Sequence, residues 1–303
     1  MLQGEPLSPL LFSLFIAYLE EFLKAENIRG ISANHLAEIL LLAYADDIVL
    51  LADSEINMRK ILRALHEYCT TNKLIINVKK THIVILRKGG YGLNKKISPF
   101  IYGDQKINIK NGYNYLGIQF SQSGVFDEAV TEIMCKANLA SNATLNLINK
   151  IKPLDWNSIQ KLYQALIKST VLYASPVWSL RYLDRIEKLQ TQFLKKTLGL
   201  FQGTPNYAIR VETNKYPIAV AVFQLLLDWV EKILSMPDYR YPRICFLKLK
   251  DLSKNTKNNV NDKYNWFIQI KKKFFEPIKE ADSWINISLD MVKEHKYRYI
   301  ELF

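Results

Sequence analysis

The sequence predicts an α+β chain: a partial antiparallel sheet with packed helices over residues 1–125, then an all-helical basic region from 126 onward. Three observations carry this. Short apolar runs separated by turn residues occupy residues 39–120, the pattern of strands and hairpins. Near Phe126 the apolar period changes from two to about 3.6 and stays there. Charge divides the same way: residues 1–150 hold 16 Lys and Arg against 14 Asp and Glu, a balance of +2, whereas residues 151–303 hold 25 against 15, a balance of +10.

Taken in order, Gln3-Gly4-Glu5-Pro6 leads to Ser8-Pro9, a hydroxyl cap followed by proline at the first helical position. The helix begun there is expected to reach about Ala25, and its apolar first turns should be internal. Residues 39–44 and 48–51 read as two strands joined at Ala45-Asp46-Asp47. Asp53-Ser54 caps a separate helix, whose apolar face is Ile56, Ile61, Leu62, Leu65 and Tyr68. Residues 75–78 and 82–86 read as strands flanking Lys79-Lys80-Thr81. Residues 101–109 form a hairpin around Gly103-Asp104, and 115–120 another strand.

Helices follow at about 127–151, 156–173, 181–199 and 216–235. In the third, Leu183, Ile186, Leu189, Phe193 and Leu198 form the stripe, Gly199 is the stop, and Arg181, Arg185, Lys188, Lys195 and Lys196 supply charge around it. Trp178 and Trp229 are read as core. The sequence thus divides into 1–125, a helical basic part over 126–250, a polar linker over 251–263 and a helical extension over 264–303.

Composition narrows the function classes. A hydrophobic share of 49% and a charged share of 23% describe a folded globular chain. Cys69, Cys135 and Cys245 form no CxxC pair and no zinc-finger spacing, which predicts reduced cysteines and an intracellular setting, nuclear or cytoplasmic. The apolar stretch at 7–19 is too short to span a bilayer and has no basic residue before it, so no membrane partner is expected. The basic second half points to a polyanion.

Asp46 and Asp47 stand side by side in an apolar stretch. Burying an ionised carboxylate costs several kcal/mol, so a hairpin tip that holds a hard divalent cation is the arrangement that suits them. The order Gln3-Gly4-Glu5-Pro6, then Tyr44-Ala45-Asp46-Asp47, then Lys80, then Tyr115-Leu116-Gly117 resembles the palm of reverse transcriptases, most closely those of non-long-terminal-repeat retrotransposons. The resemblance implies a partial polymerase palm followed by a thumb-like helical region, the latter including residues 172–178 and 198–212.

It also implies roles. Gln3, Gly4 and Pro6 would line the incoming nucleotide and template, with Tyr44 and Ala45 at the primer end. Asp46 would be a metal ligand and Asp47 its less directly engaged neighbour. Lys80 would face the nucleotide phosphates, and Tyr115, Leu116 and Gly117 would form the primer grip. The activity implied is RNA-directed DNA synthesis on an RNA template and DNA primer with dNTPs, using Mg²⁺ or Mn²⁺. One departure stands out: no acid of this sequence matches the family's upstream aspartate, and Glu5 belongs to a different loop. The expectation is therefore a C-terminal portion of the enzyme, lacking the fingers and a central strand. Such a sheet should expose apolar surface and an unpaired edge, and the alternative function is an inactive remnant that binds RNA or an RNA–DNA hybrid.

Overall fold

A computed structural model describes residues 7–33, 37–87, 97–152, 155–254 and 262–301. They fall into two units, residues 1–124 with 239–248 and residues 125–238 with 249–303. The first unit is mixed α and β, and the second is helical.

The first unit begins with α1 (Ser8–Phe15) and α2 (Leu19–Ala25) in place of one continuous helix. Turn bonds break it: Ala17 N–H donates to Leu14 O and Leu19 N–H to Ile16 O. Leu7, not Ser8, is the N-cap, and Pro9 sits within the first turn as expected. The break has a consequence for burial. Leu19 and Leu23 of α2 enter the core, while Leu7, Leu10, Leu11, Leu14 and Phe15 of α1 are exposed, against the expectation of internal first turns.

Strands β1 (Ile31–Ser32) and β2 (Glu38–Ile39) pair antiparallel, as do β3 (Leu41–Tyr44) and β4 (Asp47–Leu50). Helix α3 (Glu55–Thr71) starts where the sequence places it: the Ser54 side chain accepts from Asn57 N–H at 3.2 Å, and Asp53 Oδ1 accepts from the Asn57 amide at 3.0 Å. Hydrogen bonds to its own carboxylate, first from the Ser54 side chain and then from the Asn57 amide, hold Asp53 below its ordinary value. Ile61, Leu62, Leu65 and Tyr68 are buried as expected, but Ile56, in the first turn, is exposed.

Strands β5 (His82–Val84), β6 (Phe100–Tyr102) and β7 (Gln105–Lys110) form a sheet in the order β5-β7-β6, with β5 parallel to β7. The hairpin at Gly103-Asp104 is as expected; Gly103 has φ +55°, and a Cβ there would stand 2.9 Å from the His66 ring of α3. Arg59 ties α3 to the start of β6, donating to Ser98 O (2.6 Å) and Pro99 O (2.7 Å) over the Phe100 ring. Strands β8 (Gly112–Tyr115) and β9 (Ile118–Ser121) form a further hairpin. In place of one antiparallel sheet, the described residues form four small sheets, one of them with a parallel pair. A core lies on α3: Ile61, Leu62, Leu65 and Tyr68 pack with Leu19, Leu23, Leu40, Ile83, Phe100 and Ile107.

The second unit contains α4 (Asp127–Ile151) and α5 (Trp156–Leu162), the latter running through a π-helical turn (Tyr163–Lys168) into α6 (Ser169–Leu172). Next come α7 (Ser175–Trp178), α8 (Leu183–Thr197), α9 (Asn206–Thr213) and α10 (Ile218–Ser235). The end of α8 is a Schellman motif: Leu200 N–H donates to Lys195 O (2.9 Å) and Gly199 N–H to Lys196 O (3.3 Å), with Gly199 at φ +63°. Within α8, Ile186, Leu189 and Phe193 are buried and Leu198 is not. Lys195 is also buried, its ammonium donating to Gln202 O at 2.6 Å, so it adds little to the surface charge. Trp178 is core, with its indole N–H on Tyr173 O; Trp229 is half-buried, with Lys232 over its ring.

Helix α11 (Tyr241–Lys254) occupies the start of the expected linker, whose residues 255–261 lie outside the described residues. Its residues 241–248 cluster with the first unit. The last part, α12 (Trp266–Ile270) with a π turn (Lys271–Phe275), α13 (Ala281–Ile285) and α14 (Leu289–Glu301), is built into the second unit. Phe275 and Trp284 stack at 4.7 Å, Phe267 and Trp284 at 4.8 Å, and Phe274 meets Phe223 of α10 at 5.0 Å. Because Phe275 is fully buried in this cluster, Phe275→Ala should cost about 3–5 kcal/mol. Urea unfolding followed by circular dichroism measures it; a loss below about 1 kcal/mol would mean that the C-terminal helices do not share the core.

Candidate active site

Asp46 and Asp47 lie at the tip of a hairpin, and the turn is tighter than the sequence suggested. Tyr44 pairs directly with Asp47, so Asp47 is the first residue of β4 and the loop is Ala45-Asp46 alone. Two residues must reverse the chain, and Ala45 does so at φ +52°, in the left-handed region that costs an L-residue about 1 kcal/mol or more. A small side chain limits that cost, since larger and β-branched residues tolerate positive φ less well. Directly opposed residues share one face of a two-stranded ribbon, so Tyr44 and Asp47 stand together, with Asp46 at the tip.

Both aspartates are exposed, as is Tyr44. Strand β3 is exposed along most of its length, and β3–β4 has no further strand partner among the described residues. The carboxylates therefore remain solvated and no buried charge needs compensation.

Tyr115-Leu116-Gly117 is a turn, not the start of a strand. Tyr115 pairs with Ile118, and Leu116 and Gly117 have φ of +48° and +78°, the paired positive values of a type I′ hairpin. The signal was present: two residues ending in glycine between segments rich in aromatics. This hairpin brings Tyr115 near the YADD tip. Burial pushes the Tyr115 phenol above its ordinary value, and the negative charge of Asp47 pushes it further.

Lys80 is held differently. Its N–H donates to Asn77 O (3.0 Å) and to Asn77 Oδ1 (3.2 Å), and Thr81 N–H donates to Asn77 O (3.0 Å). This side-chain turn replaces the strand expected at 75–78, because asparagine offers the backbone a local alternative to a ladder. The lysine is exposed on it. Gln3, Gly4 and Pro6 lie outside the described residues. The structure thus brings together Tyr44, Ala45, Asp46, Asp47 and Tyr115, and sets Lys80 on its own turn.

Two adjacent carboxylates are hard oxygen donors of the kind that Mg²⁺ takes together with waters and phosphates. Among the described residues no group of three His, Cys, Asp or Glu stands close enough to hold a metal. The pair fits a partial ligand set. No described helix is long and apolar enough to cross a membrane. The cysteines are all free, Cys69 buried and Cys135 exposed.

Residues 1–120 match the reverse transcriptase (RNA-dependent DNA polymerase) family, and the chain is similar to Pol polyproteins of a retrotransposable element. Two relatives sharpen the placing. A retrovirus-related Pol polyprotein from the type-1 retrotransposable element R2 of Popillia japonica is 27% identical over 210 residues, 67% of this chain and 28% of its own length. A second R2 Pol polyprotein of the same organism is 29% identical over 168 residues, 54% of this chain and 28% of its own length. The chain therefore spans just over a quarter of the relatives it matches.

Two predictions follow from the turn geometry. Ala45→Gly relieves the positive φ and should stabilise the first unit by roughly 0.5–1 kcal/mol, while Ala45→Val should destabilise it by more than that; urea midpoints decide, and equal midpoints would contradict the strained turn. Removing the charge of Asp47 favours the phenolate, so Asp47→Asn should lower the Tyr115 titration midpoint, read by NMR of ring-labelled tyrosine against a Tyr115→Phe reference. An unmoved midpoint would separate the two hairpins.

Proposed function

We propose that this chain carries out, or contributes the carboxylate turn to, RNA-directed DNA synthesis: attack of a primer 3′-hydroxyl on the α-phosphate of a dNTP, with release of pyrophosphate. The single observation behind this reading is the exposed YADD hairpin beside the Tyr115-Leu116-Gly117 hairpin, in a chain segment that matches reverse transcriptases. Asp46 and Asp47 would hold a divalent cation, Mg²⁺ or Mn²⁺, which when bound neutralises charge building on the phosphate oxygens. Tyr44 and Ala45 would face the primer end, and the second hairpin would support the primer backbone. Lys80, exposed on its turn, would meet the departing phosphates. Gln3, Gly4 and Pro6 are assigned to nucleotide and template by resemblance alone. The helical unit, which holds 24 Lys and Arg against 18 Asp and Glu, is read as the thumb-like part that grips the template–primer, and its positive net charge supports that use.

A second reading, binding of RNA or an RNA–DNA hybrid without catalysis, draws on a separate observation. A two-metal centre needs acids facing the YADD turn, and no third acid stands with Asp46 and Asp47 among the described residues.

Primer extension on an RNA template with Mg²⁺ and dNTPs separates the two, run on the full chain and on Asp46→Ala. Incorporation by the wild-type chain that falls at least about 100-fold in Asp46→Ala supports catalysis. Salt-sensitive binding of an RNA–DNA duplex without incorporation supports the second reading. A chain that neither extends nor binds the duplex refutes both.

A further inference from the structure

The second unit carries a surface feature that the polymerase reading leaves unused. Beyond the Schellman end of α8, residues 200–205 lead into α9, and this short loop is held from both sides. Buried Lys195 donates to Gln202 O (2.6 Å), and Thr204 N–H donates to Phe201 O (3.0 Å). On this fixed loop Phe201 is 82% exposed, and Tyr207, in the first turn of α9, is 73% exposed. The Phe201 ring lies along Gly203: a Cβ on that glycine would come within 2.7 Å of it.

Beside the loop is a cleft of about 440 Å³ whose wall includes Gln202 and Asn206, the chain neighbours of the two rings, together with Gln192, Thr191, Lys188 and Asp184. The wall offers amide donors and acceptors, a hydroxyl, the ammonium groups of Lys188 and Lys195 and the carboxylates of Asp184 and Glu187. That mixture matches the edge of a heterocycle, which itself alternates donors and acceptors, better than it matches a bare anion. The surrounding segment is cationic: with buried Lys195 set aside, residues 181–216 hold six Lys and Arg against three Asp and Glu, a balance of +3. Flat faces for stacking, a polar cleft of nucleotide size and a positive surround are the three features by which proteins hold unpaired strands.

We propose that Phe201 and Tyr207, with the α8–α9 cleft, form a stacking site for unpaired bases of single-stranded RNA or DNA. Phe201 and Tyr207 take base faces, Gln202 and Asn206 meet base edges, and Lys188 attracts the backbone. The inference rests on the reading that the helical unit meets nucleic acid, and not on polymerase chemistry.

The test is fluorescence anisotropy on the full chain, with a labelled mixed-sequence RNA of about 12 nucleotides and its DNA equivalent, against an RNA–DNA duplex of the same length. Phe201→Ala and Tyr207→Ala should each weaken single-strand binding about fivefold or more, the effect of removing one base–aromatic stack. Phe201→Trp and Tyr207→Phe should retain it, and Val211→Ala, an exposed aliphatic of α9, should leave it unchanged within about twofold; duplex binding should move in none of them. Both rings are exposed, so these variants should keep the wild-type urea midpoint. Single-strand affinity that the alanine variants leave unchanged, the result expected if a protein partner covers this surface, overturns the proposal. So does a loss shared equally with the duplex, or no single-strand binding by the wild-type chain. Loss of wild-type duplex binding with intact, ring-dependent single-strand binding counts against the template–primer reading alone.

Discussion

Reversing the chain in two residues between Tyr44 and Asp47 is the constraint on which the carboxylate site depends. The turn sets Asp46 at the tip, puts Asp47 across from Tyr44, and forces Ala45 to φ +52°. A longer loop would relax Ala45 but would free the two acids from each other. Alanine is the compromise: small enough to accept the left-handed region at modest cost, and stiffer than glycine. A second two-residue turn, at Leu116-Gly117, meets the same demand with a glycine at its second position and carries Tyr115 toward Asp47.

Exposure resolves the tension between two acids and their apolar neighbours. The runs on either side of Asp46 and Asp47 look like buried strands, and burial would charge the carboxylates several kcal/mol each. In the folded chain β3 is largely exposed, and the acids stay in water. Leu42 and Tyr44 on β3 and the apolar face of α1 are exposed with them. Below them, the α3 face of Ile61, Leu62, Leu65 and Tyr68 is closed and anchors the hairpins through packing that the site itself does not need.

The helical unit is held by a different device. Within its largely aliphatic core, the stack of Phe267, Trp284 and Phe275 recruits the C-terminal helices. The sequence marks this segment as helical but gives no sign that it is integral, because aromatics beside a lysine run fit a surface as well as a core. The same ambiguity hides Phe201 and Tyr207: their type says nothing about exposure, which the Lys195 bond to Gln202 and the end of α8 decide.

Local rules determined what the sequence could determine alone. Ser54 as the α3 cap, the Gly103-Asp104 turn, Gly199 as the stop of α8 and the spans of α4 and α10 all depend on neighbours within a few residues. The order of the motifs, likewise a property of the chain, was enough to indicate the reverse transcriptase family. Tertiary structure decided the rest, since burial and pairing are set by residues distant in sequence. It broke the first helix in two and left α1 exposed, turned 75–78 into a side-chain turn at Asn77, and made Leu116-Gly117 a hairpin tip. It buried Lys195, extended α11 into the polar segment, and brought Tyr115 to Asp47 across the sixty-odd residues that separate them. Periodicity reports what a segment can bury, and only the packed chain settles what covers it.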